Sequence, residues 1–349
     1  MAERSGELPP SFGAVEALEE FLSRPTPRVS EALSRLDGDL LILGAGGKMG
    51  PTLAMLAARA AEQAGLQKRV IGVSRFSAPR IEERLRQAGV ETISCDLLDP
   101  ASLRALPEAP NIIYMVGMKF GATEHEPQTW AMNAFLPGLV VQRFRHSRFV
   151  VFSSGNVYPF TPVVYGGCAE DTPPAPVGEY AQSVLGRERV FQHFAAQYNV
   201  PAVFLRLNYA VELRYGVLLD IAQKVWRGEA IDLSVGHVNV IWQGDANAYA
   251  LRALALAQEP PLPLNVTGPE TISVRSLARQ LGRALGVEPF FVGSEQPEAL
   301  LNNAGLAHSL LGYPRVPLGT IIAWVAEWVR LGGETLDKPT KYQVRNGRF

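Results

Sequence analysis

Short runs of consecutive apolar residues alternate with longer amphipathic stretches along most of this chain. Leu40-Leu41-Ile42-Leu43, Val70-Ile71-Gly72-Val73, Thr92-Ile93-Ser94, Asn111–Val116, Phe149–Phe152 and Ala202–Leu205 read as buried strands, because runs without polar alternation leave no face for water. Helical spacing fills the intervals at 52–64, 80–88, 128–145 and 180–198. Strand and helix in alternation predict an α/β fold with a doubly wound parallel sheet. Ahead of it, Val15, Leu18, Phe21 and Leu22, then Val29, Leu33 and Leu36, predict a helical extension over residues 1–37. Beyond Asn208 the pattern loosens, with helices near 216–227, 244–258, 273–285 and 317–331 among short strands. The expected division is a main domain over 38–207, with 237–266 returning to it, and a smaller mixed α/β lobe from 208–236 and 267–332. The tail 333–349, with Lys338, Lys341, Arg345 and Arg348, is expected to be solvated.

Composition narrows the picture. The 349 residues hold 33 Lys+Arg against 34 Asp+Glu, a formal net charge of -1, so no basic face for nucleic acid is expected. At 47% hydrophobic and 19% charged the chain is globular. No run approaches the ~18 apolar residues of a membrane span, and the first residues, Met1–Gly13, lack the apolar core of a signal peptide. Cys95 and Cys168 are too few for a disulfide framework and read as reduced thiols. The five histidines are scattered, and Glu124-His125-Glu126 lacks metal-ligand spacing, so no metal is expected. A cytoplasmic protein acting on a small molecule is the expectation.

The chemistry begins where the first strand runs into Gly44-Ala45-Gly46-Gly47-Lys48-Met49-Gly50, followed by Pro51 and an Ala-rich helix. Glycine permits a tight turn and close backbone approach to a pyrophosphate, and the helix N-terminus offers free N–H groups to it. In the first strand–turn–helix unit this cluster predicts a Rossmann-type dinucleotide site on Gly44, Gly46, Gly47, Lys48 and Met49. The second strand ends in Val73-Ser74-Arg75-Phe76, without the acid that would accept from an NAD ribose 2'-hydroxyl. Ser74 and Arg75, with Lys48 as a second cation, favour the 2'-phosphate of NADP over NAD.

With these pieces, residues 40 to 285 resemble an extended short-chain dehydrogenase/reductase of the NAD-dependent epimerase/dehydratase type. Gly44, Gly47 and Gly50 match the family's spaced glycines. Cys95-Asp96-Leu97 resembles its strand-end Asp-Leu, which implies adenine contacts from Asp96 and Leu97. Met115-Val116-Gly117 falls where the fourth strand passes under the cofactor, and Asn133 matches a structural asparagine. Phe152-Ser153-Ser154-Gly155-Asn156-Val157-Tyr158 resembles the Ser-Ser-x-x-Val-Tyr segment, which puts Ser154 in the catalytic serine position. Leu205-Arg206-Leu207-Asn208, Gln243-Gly244-Asp245-Ala246 and Asn265-Val266-Thr267-Gly268 match later landmarks. The resemblance implies NADP or NAD as cofactor, a sugar or similar polyhydroxylated carbonyl compound as substrate, and a homodimer packed through the Tyr180 helix. Lys119, Asn156, Asn208, Arg214 and Trp242 are then expected near the substrate, and Tyr180 also at the cofactor.

One departure stands out. The family pairs Tyr-x-x-x-Lys on a helix, whereas Tyr180-Ala181-Gln182-Ser183-Val184 puts valine where the lysine belongs. The missing ammonium would lower the phenol's pKa from ~10 and bond the nicotinamide ribose. Three readings follow: Lys119, after the fourth strand, substitutes as the cation; Tyr180 works protonated, as a hydrogen-bond donor beside Ser154; or the chain is a catalytically silent NADP-binding regulator or scaffold.

Overall fold

A computed structural model describes residues 8–119, 121–122 and 124–348. Seven strands form one sheet: β1 (Leu40–Leu43), β2 (Val70–Ser74), β3 (Glu91–Ser94), β4 (Asn111–Tyr114), β5 (Arg148–Ser154), β6 (Ala202–Leu207) and β7 (Leu262–Val266). Their spatial order is β3-β2-β1-β4-β5-β6-β7, and every pairing is parallel. This is a doubly wound Rossmann-type α/β sheet. The apolar run of β1 shows why it is central: Leu40 and Ile42 enter the core on one face, and Leu41 and Leu43 the core on the other.

On the first face lie α2 (Pro27–Ser34), α3 (Gly50–Gln63) and α10 (Gln243–Ala253), which contribute Val29, Leu53 and Ala250 to one core. On the second lie α7 (Leu136–Arg143) and α8 (Gly178–Tyr198), with Val140 and Phe191 in the opposite core. The strand order reverses between β1 and β4, so a crevice opens at their carboxyl ends, where ligands bind in such sheets.

A second lobe is built on α9 (Val217–Trp226), α11 (Val274–Leu285) and α13 (Leu318–Arg330). Its centre is aromatic: Trp324 stands 5.0 Å from Phe12, 5.5 Å from Phe21 and 5.3 Å from Trp242, ring centre to ring centre. Phe21 belongs to α1 (Val15–Leu22), so the N-terminal helices divide, α1 joining the lobe and α2 the sheet. No helix of the described residues is long and apolar enough to cross a membrane.

The tail departs from the solvated terminus expected of it. Leu336 N donates to Arg214 O at 3.0 Å, Thr340 donates through its N and hydroxyl to the Asp220 carboxylate, and Tyr342 is buried in the lobe's core. The lysines and arginines that suggested solvent alternate with these buried residues.

Candidate active site

The turn after β1 is shaped by contact. Gly44 N and Ala45 N both donate to Val73 O, at 2.8 and 3.1 Å. Gly44 has φ +95, and a Cβ there would lie 3.0 Å from Val116 N and 3.1 Å from the Met115 carbonyl carbon. Only glycine allows the loop to press against the end of β4. Met49 precedes α3 without a capping side chain, which leaves first-turn amides open to an anion. Gly47 is exposed, and a Cβ there would meet only Gly44 O, at 3.3 Å. A groove of ≈ 210 Å³ continues from this loop, lined by Gly44, Gly46, Gly47, Ser74, Arg75, Asp96, Leu97, Val116 and Gly117. An open glycine cradle, an uncapped helix end and a cleft leading to Asp96 fit a dinucleotide. Arg75 is exposed at the mouth, with Ser74 beside it.

Lys48 does not join them. Its Nζ lies 3.4 Å from the centre of the Tyr215 ring and donates to Ala210 O at 3.3 Å, so its charge faces the second lobe rather than Arg75. The expectation of a second cation at a 2'-phosphate is corrected on this point.

The groove opens at Gly44, Gly47 and Gly117 into a cavity of ≈ 240 Å³ that holds Ser154, Asn156, Tyr180, Asn208, Lys48 and Lys119. Ser154 ends β5, and its hydroxyl donates to Asn156 Oδ1 at 3.0 Å and accepts from Asn156 N at 3.2 Å. Tyr180, in the first turn of α8, is hydrogen-bonded to Ser154. Burial raises the phenol's pKa, and the Arg187 guanidinium and that hydrogen bond oppose the rise. Tyr180 therefore stays protonated at neutral pH.

Arg187 is the residue that sequence reasoning missed. It lies two turns beyond Tyr180 on α8, and side chains tilt toward a helix N-terminus, so it reaches back to the cavity. It is buried, and it donates through Nε to Asn133 O at 3.2 Å, through Nη2 to Asn133 Oδ1 at 3.1 Å, and through Nη1 to Phe152 O. Asn133 sits in a π-helical turn (Ala131–Phe135) and also accepts from Met118 N and donates to Ser183 Oγ. A Cβ on Gly117 would lie 2.6 Å from Arg187 Nη2, so that position must be glycine for the guanidinium to fit. The only signal in the sequence was an arginine seven residues after Tyr180.

Val184 is buried in an apolar cluster with Val157, Tyr158 and Cys168, against which Tyr180 packs. Lys119 stands over the Tyr180 ring, Nζ 5.8 Å from its centre. Two other expected substrate residues are not brought to the cavity. Arg214 is buried between Glu212 and Glu19, with Nη1 2.7 Å from Glu19 Oε1. Trp242 is in the aromatic core of the lobe. Asn208 lines the cavity but donates to Asn239 Oδ1 at 2.7 Å.

Residues 40–211 match the family model described as "NAD dependent epimerase/dehydratase family". No curated protein matches the chain by sequence. Among solved structures, the UDP-glucuronic acid 4-epimerase of Bacillus cereus in complex with UDP-glucuronic acid and NAD aligns at 17% identity and TM-score 0.67, covering 84% of this chain and 99% of that one. The UDP-glucose 4-epimerase of Thermotoga maritima with UDP-glucose aligns at 16% and 0.66, covering 84% and 98%. That of Thermus thermophilus in complex with NAD aligns at 17% and 0.66, covering 84% and 99%. The fold is shared with all three.

Proposed function

Because the chain carries an NAD dependent epimerase/dehydratase domain over residues 40–211, we propose that it is a nicotinamide-dependent enzyme acting at a hydroxyl- or carbonyl-bearing carbon of a sugar or sugar nucleotide. One observation carries the reading: Ser154 and Tyr180, hydrogen-bonded to each other, line the cavity at the end of the dinucleotide groove.

Gly44, Gly47 and the first amides of α3 would hold the pyrophosphate, Asp96 and Leu97 the adenosine end, and Gly117 with Tyr180 the nicotinamide end. When bound, the nicotinamide supplies hydride transfer. The chain's own part is at the reacting oxygen. Ser154 Oγ and Tyr180 Oη donate hydrogen bonds to it, and a neutral phenol releases its proton to that oxygen as a carbonyl is reduced. Arg187 steadies the phenolate left behind. The silent-binder alternative draws on Val184, but the cavity beside Tyr180 is unfilled and keeps Ser154, Asn156 and Asn208 on its wall, groups for which a silent module has no use.

The cofactor preference proposed is NADP, now on Arg75 and Ser74 alone. Arg75→Ala is expected to cost about 1.5–3 kcal/mol with NADP and little with NAD. Equal titrations of the two cofactors in parent and variant would reverse this assignment.

The test of the function is nicotinamide binding by calorimetry, then reduced-nicotinamide absorbance and product NMR with UDP-glucose, UDP-glucuronic acid and their free sugars. Ser154→Ala and Tyr180→Phe are each expected to lower kcat about 100-fold with cofactor affinity retained. Full activity in both variants would place the chemistry elsewhere, and no nicotinamide binding would end the proposal.

A further inference from the structure

Residues 336–347 form a strap that leads from the second lobe to the start of α8. Leu336 N donates to Arg214 O at 3.0 Å, and Thr340 donates through its N and hydroxyl to Asp220 in the first turn of α9. Tyr342 is buried in the lobe's core. Arg345 Nη1 donates to Glu298 O at 2.8 Å, and the guanidinium lies 4.2 Å from the centre of the Phe160 ring. Gly347 ends the strap against Val177 and Gly178, two residues before Tyr180, and a Cβ on Gly178 would lie 2.6 Å from Gly347 O. Glycine at this crossing lets the two backbones touch.

The strap also bounds the space beside the reacting groups. Thr340 lines the ≈ 240 Å³ cavity of Ser154 and Tyr180. Asn156 and Tyr209 line that cavity and also a cleft beyond it, whose other walls include Tyr342, Val344, Arg345 and Gly347. With the strap in place this cleft is only ≈ 20 Å³. Among the described residues the cavity therefore continues in two directions. One passes Gly44, Gly47 and Gly117 into the groove that the cofactor would fill, and the other passes Asn156 and Tyr209 into a space the strap closes.

We propose that the strap sets the size of the substrate: it admits a compact sugar, sugar acid or polyol and excludes the same sugar carried on a nucleoside diphosphate. This narrows the function proposed above and rests on it. The cavity is smaller than the roughly 300–1,000 Å³ of clefts that enclose drug-sized ligands, and the nicotinamide end of the cofactor takes part of it. The remainder suits a single sugar ring. A nucleoside diphosphate attached to that ring needs a second space, and Arg345, stacked on Phe160 and bonded to Glu298, keeps the adjoining one shut. Opening it breaks the Arg345 contacts and the Gly347 crossing, a cost that falls on a nucleotide sugar and not on a free one.

The experiment uses the nicotinamide-loaded protein, so that the groove is occupied, and titrates D-glucose, D-glucuronate, UDP-glucose, UDP-glucuronic acid and UDP by calorimetry. The parent is compared with a chain ending at Gln343, which keeps Thr340 and Tyr342, and with Arg345→Ala, a single change that serves where the shorter chain folds poorly. UDP or a UDP-sugar is expected to bind at least one of these variants about tenfold or more tightly than the parent, with nicotinamide and free-sugar affinities unchanged. Equal affinity of every folded chain for each UDP compound, weak or strong, would overturn the strap's role. So would a parent that binds a UDP-sugar more tightly than the corresponding free sugar. A gain that comes with loss of nicotinamide would also overturn it, since UDP would then occupy the emptied groove. Failure of the parent to bind nicotinamide would instead overturn the function itself.

Discussion

Tyr180 works in an environment that holds its proton. Burial raises its pKa, and the cation opposing that rise is Arg187, whose guanidinium is bonded, among the described residues, to neutral carbonyl oxygens of Asn133 and Phe152. Its charge is therefore not cancelled locally, and it also stands 5.6 Å from the centre of the Tyr114 ring. Removing Arg187 removes a lowering influence, so Arg187→Met should move the Tyr180 phenol further up and shift the alkaline limb of the pH–kcat profile the same way. Arg187→Lys should retain part of the original limb, and Lys119→Ala should leave it in place. Tyrosinate absorbance, with Tyr180→Phe as the subtraction, reads the phenol directly. A limb that moves with Lys119 and not with Arg187 would return the role to Lys119. The valine was visible in the sequence, but the arginine that faces Tyr180 was not. Its role needs the backward tilt of α8, the π-helical turn at Asn133 and the bare Gly117 together. Lysine at Val184 would place an ammonium among Val157, Tyr158 and Cys168, an apolar site that penalises buried charge.

At the scale of elements, the glycine turn and the end of β5 do different work. Gly47 is exposed and a Cβ there meets only Gly44 O, at 3.3 Å, so Gly47→Leu should fold after a small local shift and lose nicotinamide affinity, because the new side chain occupies the pyrophosphate's place. A folded variant with unchanged affinity would remove the turn from the binding site. The end of β5 is held from below: Ser153 donates to Glu188 on α8 at 2.5 Å, and Glu188 takes a bidentate pair from Arg206 of β6 at 3.0 and 2.7 Å. Glu188→Ala leaves Arg206 buried and unpaired, which should lower stability by about 3–5 kcal/mol in urea titration. β1, β2, β4, β5 and β6 were readable because strands buried on both faces show as plain apolar runs; β3, expected to be buried too, lies at the opposite edge with Glu91 and Ser94 exposed. β7 was not readable: Leu262-Pro263-Leu264-Asn265-Val266 carries a proline, and it pairs only with β6 at the sheet's edge. The helices Pro100–Ala105 and Gly305–Leu311 are too short for periodicity to show.

Across the whole molecule, both chain ends tie the second lobe to the site. Phe12 and Phe21 enter the lobe's aromatic core, and the tail crosses the cavity with Thr340 at its wall and Tyr342 anchored behind it. The basic residues of the tail suggested solvent, because composition does not distinguish Thr340 and Tyr342, which are buried, from Lys341 between them, which is exposed. The anchor makes the tail part of the cavity wall while leaving the groove of Arg75 and Asp96 untouched, since that groove is lined by the segments after β1, β2, β3 and β4 and by Met132. Tyr342→Ala should therefore lower stability by about 3 kcal/mol, as for other buried aromatics. It should also weaken substrate binding through the loosened Thr340 while nicotinamide affinity stays constant. Parallel calorimetry with cofactor and with the preferred sugar separates the two effects. A variant that loses nicotinamide and sugar binding together would show that the tail supports the whole fold and not the substrate wall alone.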